Sequence, residues 1–350
     1  MWLTTQTVFL RDAADLPACE AAFAASPFSA SCLDHFVIQP PCAGARVAIE
    51  AWAIGGPAVN VKKLSPQAVS VRYDGLRWLH TRATRSLNAD ATVYPAACEL
   101  FQRTDGLLAA AGLNLEHIVR TWWYLGGITA GEGVTQRYLE LNRARADVFA
   151  GLHFGAGHMP LRRGQAGFPA STGIGMADTA GLGLTTLALQ TDRPDVRLLP
   201  LENPLQTPAY DYAACYSPKS PKFSRAMALV MPDYLTTWIS GTASIVNSEV
   251  LYPGCVVGQT EQTLDNLAAL LAPENVACHG VTRAGATLAD LAKVRVYVKR
   301  AADFAACRAV CQRRLGDVPA VYVVADVCRP DLLVEIEGVA FSRRPPTAKT

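Results

Sequence analysis

The chain has 350 residues, of which 50% are hydrophobic and 18% charged, with a formal net charge of +2. That length fits two domains or one large one and buries a sizeable core. The balanced charge gives no electrostatic case for nucleic acid or an anionic membrane as partner. No apolar run reaches about 18 residues without a charge, Pro or Gly, so no membrane span is expected.

The opening MWLTTQTVFLRDAADLP lacks a basic leader region, and Arg11 and Asp12 interrupt its apolar run. No signal peptide is therefore expected. The 10 cysteines contain no CxxC pair and read as reduced thiols of a cytoplasmic protein. His153 and His158 stand five apart in a Gly-rich loop, a poor ligand spacing, so no metal site is expected. Strand-like stretches come first: FVIQP, RVAIEAWAI and AVSVRY. A helical pattern (ACELFQRTDGLLAAAG), a strand (within AGLNLEHIVRTWWYL), a second helix (VTQRYLELNRARADVFA) and two strands (FPASTGIGM and GLTTLALQ) follow.

The second half repeats this order. A helix (TEQTLDNLAALLAP) precedes AGATLADLAKVRVYV, then a helix (AADFAACRAVCQRRLG) and two strands (PAVYVVADV and LLVEIEGVAF). The matching stretches start at Ala111 and Ala284, an offset of 284 − 111 = 173, with Gly112/Gly285, Leu115/Leu288 and Tyr124/Tyr297 identical. Each reads as a Gly-capped helix end, a turn and an apolar strand. A duplicated α+β layer architecture follows. The divisions are an N-terminal module with extra strands (1–195), a Pro-rich linker (196–208), a C-terminal module (209–343) and a flexible tail (344–350).

The last strand carries two acids. Alternation puts Leu333, Glu335, Glu337, Val339 and Phe341 on one face. Either this is a sheet edge with solvated glutamates, or one acid is partly buried as a proton carrier. The first-half counterpart, GLTTLALQ, has no acid. Glu335 is thus asymmetric, as a catalytic group would be, and Glu337 reads as structural.

TWISGTASI, GQTEQTLDNLAALL, AGATLADLAKVRVYVKRAADFAACRAV and VEIEGVAF, over about residues 235–342, resemble the reactive-intermediate (imine) deaminase superfamily. The resemblance implies trimer-like packing of chorismate-mutase-like αβ modules, mixed sheets inside and helices outside, with Glu335 as the catalytic glutamate. Val321 stands where that family carries a substrate-gripping arginine, which argues against imine hydrolysis. FPASTGIG, YSPKSPKFSRA, WISGTASI and VEIEG, taken together, resemble the chorismatases, two-module chains that remove pyruvate from chorismate. That resemblance implies chorismate as the substrate, no cofactor, and a monomer or weak homo-oligomer. Gly241 and Cys328 match the aromatising branch, which gives 3-hydroxybenzoate alone or with 4-hydroxybenzoate, rather than the branch that hydrolyses the enol ether to a diol acid.

Two carboxylates on the substrate call for cationic grips, since charge-assisted hydrogen bonds are the strong ones. The candidates are Arg308, Arg145 and Arg225, with the Tyr216 hydroxyl beside Arg225. Cys328 is expected to steer the opening of an intermediate, and Gly241 to leave room for the substrate. Bland alternatives stand for each: solvated charges, a buried small thiol and a backbone requirement for glycine. An imine deaminase and a non-catalytic carboxylate sensor are the competing functions.

Overall fold

Strand side chains alternate between faces, and helix positions three or four apart share one. The burial of each element therefore fixes what it packs against. The computed structural model describes residues 1–87, 92–282 and 284–344. Its first half runs β1 (Trp2–Leu10), α1 (Leu16–Ala24), β2 (Leu33–Ile38), β3 (Val47–Ile54), β4 (Asn60–Ser65), β5 (Ala68–Tyr73), β6 (Leu76–Ser86), α2 (Val93–Ala109), β7 (Ile118–Gly126), the short hairpin β8 (Gly131–Glu132) and β9 (Thr135–Gln136), α3 (Arg137–Val148), β10 (Ala170–Met176) and β11 (Gly181–Thr191). The second half runs β12 (Arg197–Leu201), β13 (Ala226–Val230), β14 (Tyr234–Ala243), the short hairpin β15 (Ile245–Val246) and β16 (Glu249–Val250), α4 (Val256–Leu271), α5 (Pro273–Ala277), β17 (Leu291–Val298), α6 (Phe304–Leu315), β18 (Ala320–Val324) and β19 (Val334–Arg343).

The duplication is visible in the strand order. One sheet is β10-β7-β11-β6-β5-β4, and the other is β18-β17-β19-β14-β13-β12. In each, only the pair at the head of the list is parallel. Tyr124 lies opposite Gly183 in the first copy, and Tyr297 opposite Glu335 in the second. The position equivalent to Glu335 is therefore a glycine. A third sheet, β2-β1-β3, is built from the extra N-terminal strands.

The three sheets turn their inner faces to one another. Val69, Val71, Trp78 and Val119 of the first module meet Met227, Leu229, Trp238 and Val339 of the second and Leu33 of the third sheet. Helices cover the outer faces. On α2, Ala97, Leu100, Phe101, Thr104 and Leu108 follow the three-to-four spacing and are buried, where the apolar ones meet Trp123 and Leu125 of β7 or Ile118 of the same strand. Leu264, Leu267 and Leu271 of α4 meet Val294, Val296, Val334 and Ile336 in the same way.

Three expectations need correction. The Pro-rich stretch is not a free linker: β12 pairs antiparallel with β13 as an edge strand. Beyond it, Asn203 donates to the Asn266 carbonyl (2.8 Å) and Gln206 to the Ile245 carbonyl (3.0 Å). The C-terminal module thus begins at β12. Gly112 does take the left-handed conformation after α2 (φ 72), but Gly285 (φ 145) caps no helix. Pro273 ends α4, and a Cβ at Gly285 would lie 2.5 Å from the Pro273 Cα. Leu333 precedes β19 and packs among Val334 and Ile336 on the helix side, not beside Glu335. Residues 345–350 of the expected tail lie outside the described residues.

Candidate active site

A pocket of about 250 Å³ lies between the two modules. Its walls come from α3 (Tyr138, Asn142, Arg145), β10 (Ser171, Gly173), β14 (Gly241, Ala243), the loop before β13 (Tyr212, Tyr216, Phe223, Arg225) and the β18–β19 region (Cys328, Arg329, Glu335). Six of the seven residues expected from the sequence meet here. Arg308 does not. It sits on the exposed face of α6, over the Phe304 ring at 5.9 Å. Helical periodicity turns Cys307 and Cys311 into the core and Arg308 outward.

Glu335 is 4% exposed. Burial lifts its carboxyl to about 8, with the neighbouring Glu337 charge adding to the rise, while Arg120 and Arg225 oppose it. Ala243, its cross-strand neighbour on β14, follows an irregularity between Ile239 and Thr242. Such a bulge re-aims side chains, and it brings Gly241 against the acid. A Cβ at 241 would collide with Glu335 Oε1 and lie 2.8 Å from Glu335 Cδ and 3.1 Å from Thr172 Cγ2. The Cys328 thiol is pushed up to about 12, first by burial and then by Glu335. Cys328 is therefore a neutral thiol at pH 7.

The cations form few contacts with acids: the buried Glu202 carboxyl lies near Arg225, and the hydrogen-bond partners of Arg145 and Arg329 are neutral. Arg145, 2% exposed, donates to Ser171 Oγ (3.1 Å) and Asn142 Oδ1 (2.6 Å). Arg225 lies beside the Phe223 and Tyr212 rings and donates to the Thr207 carbonyl (3.0 Å) and Tyr212 Oη (2.7 Å). Arg329 lies over Tyr212 and Tyr216 and donates to the Ser248 carbonyl (2.7 Å). Among the described residues none of the three forms a salt bridge. A buried guanidinium without a counter-charge is costly, so the pocket is built for an anion. Tyr216 contributes its ring only, because its hydroxyl donates to Glu249. Tyr212 takes the place at Arg225 that the sequence had suggested for Tyr216.

Arg329 and Tyr212 were not singled out from the sequence. Arg329 adjoins Cys328, and that adjacency is the one signal that could have found it. Tyr212 follows a short helical turn (Ala209–Asp211) inside a loop, where no periodicity exists to read.

Residues 50–188 match the family described as "Chorismatase FkbO/Hyg5-like, N-terminal", and residues 222–342 match "Endoribonuclease L-PSP". A chorismatase from Streptomyces hygroscopicus is 38% identical over 76% of this chain and 74% of its own length. A 3-hydroxybenzoate synthase from the same organism is 35% identical over 64% of this chain and 63% of its own length, just under two thirds. A crystal structure of a chorismatase superposes with a TM-score of 0.73 at 27% identity, covering 97% of this chain and 93% of that one. The fold and the site define a two-module α+β protein with one acid retained between the copies. The chain belongs to the chorismatase family.

Proposed function

We propose that the protein converts chorismate to pyruvate and 3-hydroxybenzoate, alone or together with 4-hydroxybenzoate. One observation carries this reading: Arg145 and Arg225, buried and without a salt bridge among the described residues, share a pocket with one glutamate, Glu335, whose carboxyl is raised to about 8 by burial. Arg145 and Arg225 are buried and Arg329 half-buried in the lining, a set of cations that suits a substrate with two carboxylates. Catalytic proton carriers work best with a pKa near the operating pH.

Glu335 takes the proton of the substrate 4-hydroxyl. The freed oxygen displaces the neighbouring enolpyruvyl group, whose carbon–oxygen bond breaks, and an epoxide forms across the two ring carbons. Glu335 returns its proton to the departing enol or to the opening epoxide. Loss of a ring proton then gives the phenol. The two products together contain the atoms of chorismate, so the sequence consumes no water and transfers no electrons to an acceptor. Cys328, a neutral donor beside Glu335, steers the direction of opening. Gly241, lacking a Cβ, leaves room for the Glu335 carboxyl itself. One chain supplies both walls of the pocket, which supports a monomer or weak homo-oligomer, and its unpaired cysteines fit the reducing cytoplasm.

Incubation of the purified protein with chorismate in water enriched in heavy oxygen tests the reading. Pyruvate with unlabelled hydroxybenzoate supports it. A non-aromatic diol acid, with the heavy oxygen delivered to pyruvate, would assign the hydrolysing reaction instead. Thermal stabilisation by chorismate without turnover would assign a sensor. Val321 packs among apolar residues on β18, which leaves the imine-deaminase alternative without its substrate arginine.

A further inference from the structure

The second acid of β19 is not solvated, and it does not line the pocket. Glu337 is 3% exposed. Arg120 Nη2 donates to it at 2.5 Å, and Arg295 Nη1 lies at 3.1 Å. The Tyr297 hydroxyl donates at 3.0 Å, the Trp122 indole at 3.2 Å, and Thr172 donates through its hydroxyl. Five donors thus surround one buried carboxylate. Arg295 is itself shared with Glu50 (2.6 Å), which also pairs with Lys293.

This cluster touches the catalytic strand pair at a defined point. Thr172 Oγ1 accepts from the Gly241 amide at 2.9 Å and from Arg120 at 2.5 Å, while it donates to Glu337. Arg120 also donates to the Ile239 carbonyl at 3.1 Å. The cluster thus holds both ends of the bulge that carries Gly241 against Glu335. Glu335 and Glu337 are two residues apart on one face, which places their Cα atoms about 6.7 Å from each other. Both acids are particular to the second module: the first has Gly183 opposite Tyr124 and Thr185 opposite Trp122, where the second has Glu335 opposite Tyr297 and Glu337 opposite Arg295.

We propose that Glu337, Arg120 and Thr172 are positioning residues for Glu335: Glu337 sets a buried, ion-paired carboxyl group two residues along the strand from it, Arg120 ties that group to the β14 bulge, and Thr172 holds the Gly241 backbone in place. The proposal rests on reading Glu335 as the proton carrier. The other charged or titratable groups that face Glu335 are Arg145 and Tyr138 from α3, Tyr297 from β17, Arg225, Tyr212 and Tyr216 from the loop before β13, and Cys328 and Arg329 from the β18–β19 region. β10 and β14 present none. Glu337 is the one acid among these neighbours, and its removal is the one change that relieves like-charge repulsion.

The test is the pH dependence of kcat/KM for chorismate. Activity needs the Glu335 carboxylate, so it rises with pH through the Glu335 titration. Glu337→Gln keeps the shape and removes the charge, and the rising limb moves to lower pH by roughly one unit. Arg120→Gln removes the opposing charge, and the limb moves to higher pH. Unmoved limbs, or two limbs moving the same way, overturn the proposal. Should either variant fail to fold, Thr172→Val and Thr172→Ser decide. Val lowers kcat at least about tenfold at unchanged KM and Ser restores it, whereas equal activity overturns the positioning role. Glu335→Gln runs alongside. A turnover-competent Glu335→Gln sinks the proton-carrier reading itself. An inactive one with unshifted Glu337→Gln limbs sinks only the positioning claim.

Discussion

Gly241 and Glu335 face each other on adjacent strands, and the carboxylate fills the space that a Cβ at 241 would need. The contact joins the acid to the bulge of β14, so the glycine is required by packing rather than by a backbone angle. Gly241 is absent from the positive-φ glycines.

Gly241→Ala forces the carboxyl or the bulge to move. Overpacking costs about 1–3 kcal/mol, and about 1.4 kcal/mol is tenfold in rate. Pyruvate release therefore falls roughly ten- to a hundredfold, with the melting temperature lowered as well. A coupled assay for pyruvate with a thermal melt checks both.

Cys328→Ala removes a neutral donor worth about 0.5–1.5 kcal/mol. Total turnover stays within about tenfold of wild type, and the ratio of 3- to 4-hydroxybenzoate changes. Chromatography of the products measures the ratio. An unchanged ratio would return Cys328 to the role of a small buried hydrophobe.

Arg145→Met and Arg329→Met each remove a charged grip worth about 1.5–3 kcal/mol. KM for chorismate rises roughly ten- to a hundredfold in each. Arg308→Met leaves kcat and KM unchanged, because Arg308 points away from the pocket. Steady-state kinetics on the three variants separates the cations of the site from that of the surface.

Much of this arrangement was legible beforehand. The duplication was readable because Ala111–Gly112, Leu115 and Tyr124 recur at one offset, and the shared strand order follows from it. Glu335 was readable because its strand alternates and its counterpart lacks an acid. Arg308 misled because it was chosen by its position in the resemblance to the deaminase superfamily, whereas α6 turns Cys307 and Cys311 to the core and position 308 to solvent. The burial of Glu337 was not legible, since its partners Arg120, Trp122 and Thr172 lie more than 160 residues away. The Pro-rich run concealed β12 because Pro200 sits on an edge strand, where proline is tolerated.

Glu335→Gln also changes how stability depends on pH. The folded-state carboxyl is raised from an ordinary 4.5 to about 8. A raised acid stabilises the fold fully below its unfolded value, and that contribution is lost as pH climbs through the folded one. At pH 9 the ionised group costs the fold an amount on the order of 3–5 kcal/mol. Thermal melts across pH 4 to 9 should therefore show Glu335→Gln and wild type together near pH 4.5, with the variant melting progressively higher above it. A constant gap would contradict the buried, neutral acid.

The most direct measurement is the rate of pyruvate release from chorismate by Glu335→Gln beside wild type, with circular dichroism confirming that both are folded. The proton-carrier account predicts a loss of about 10³-fold or more with chorismate still bound. A folded Glu335→Gln protein that releases pyruvate within about tenfold of wild type would contradict it.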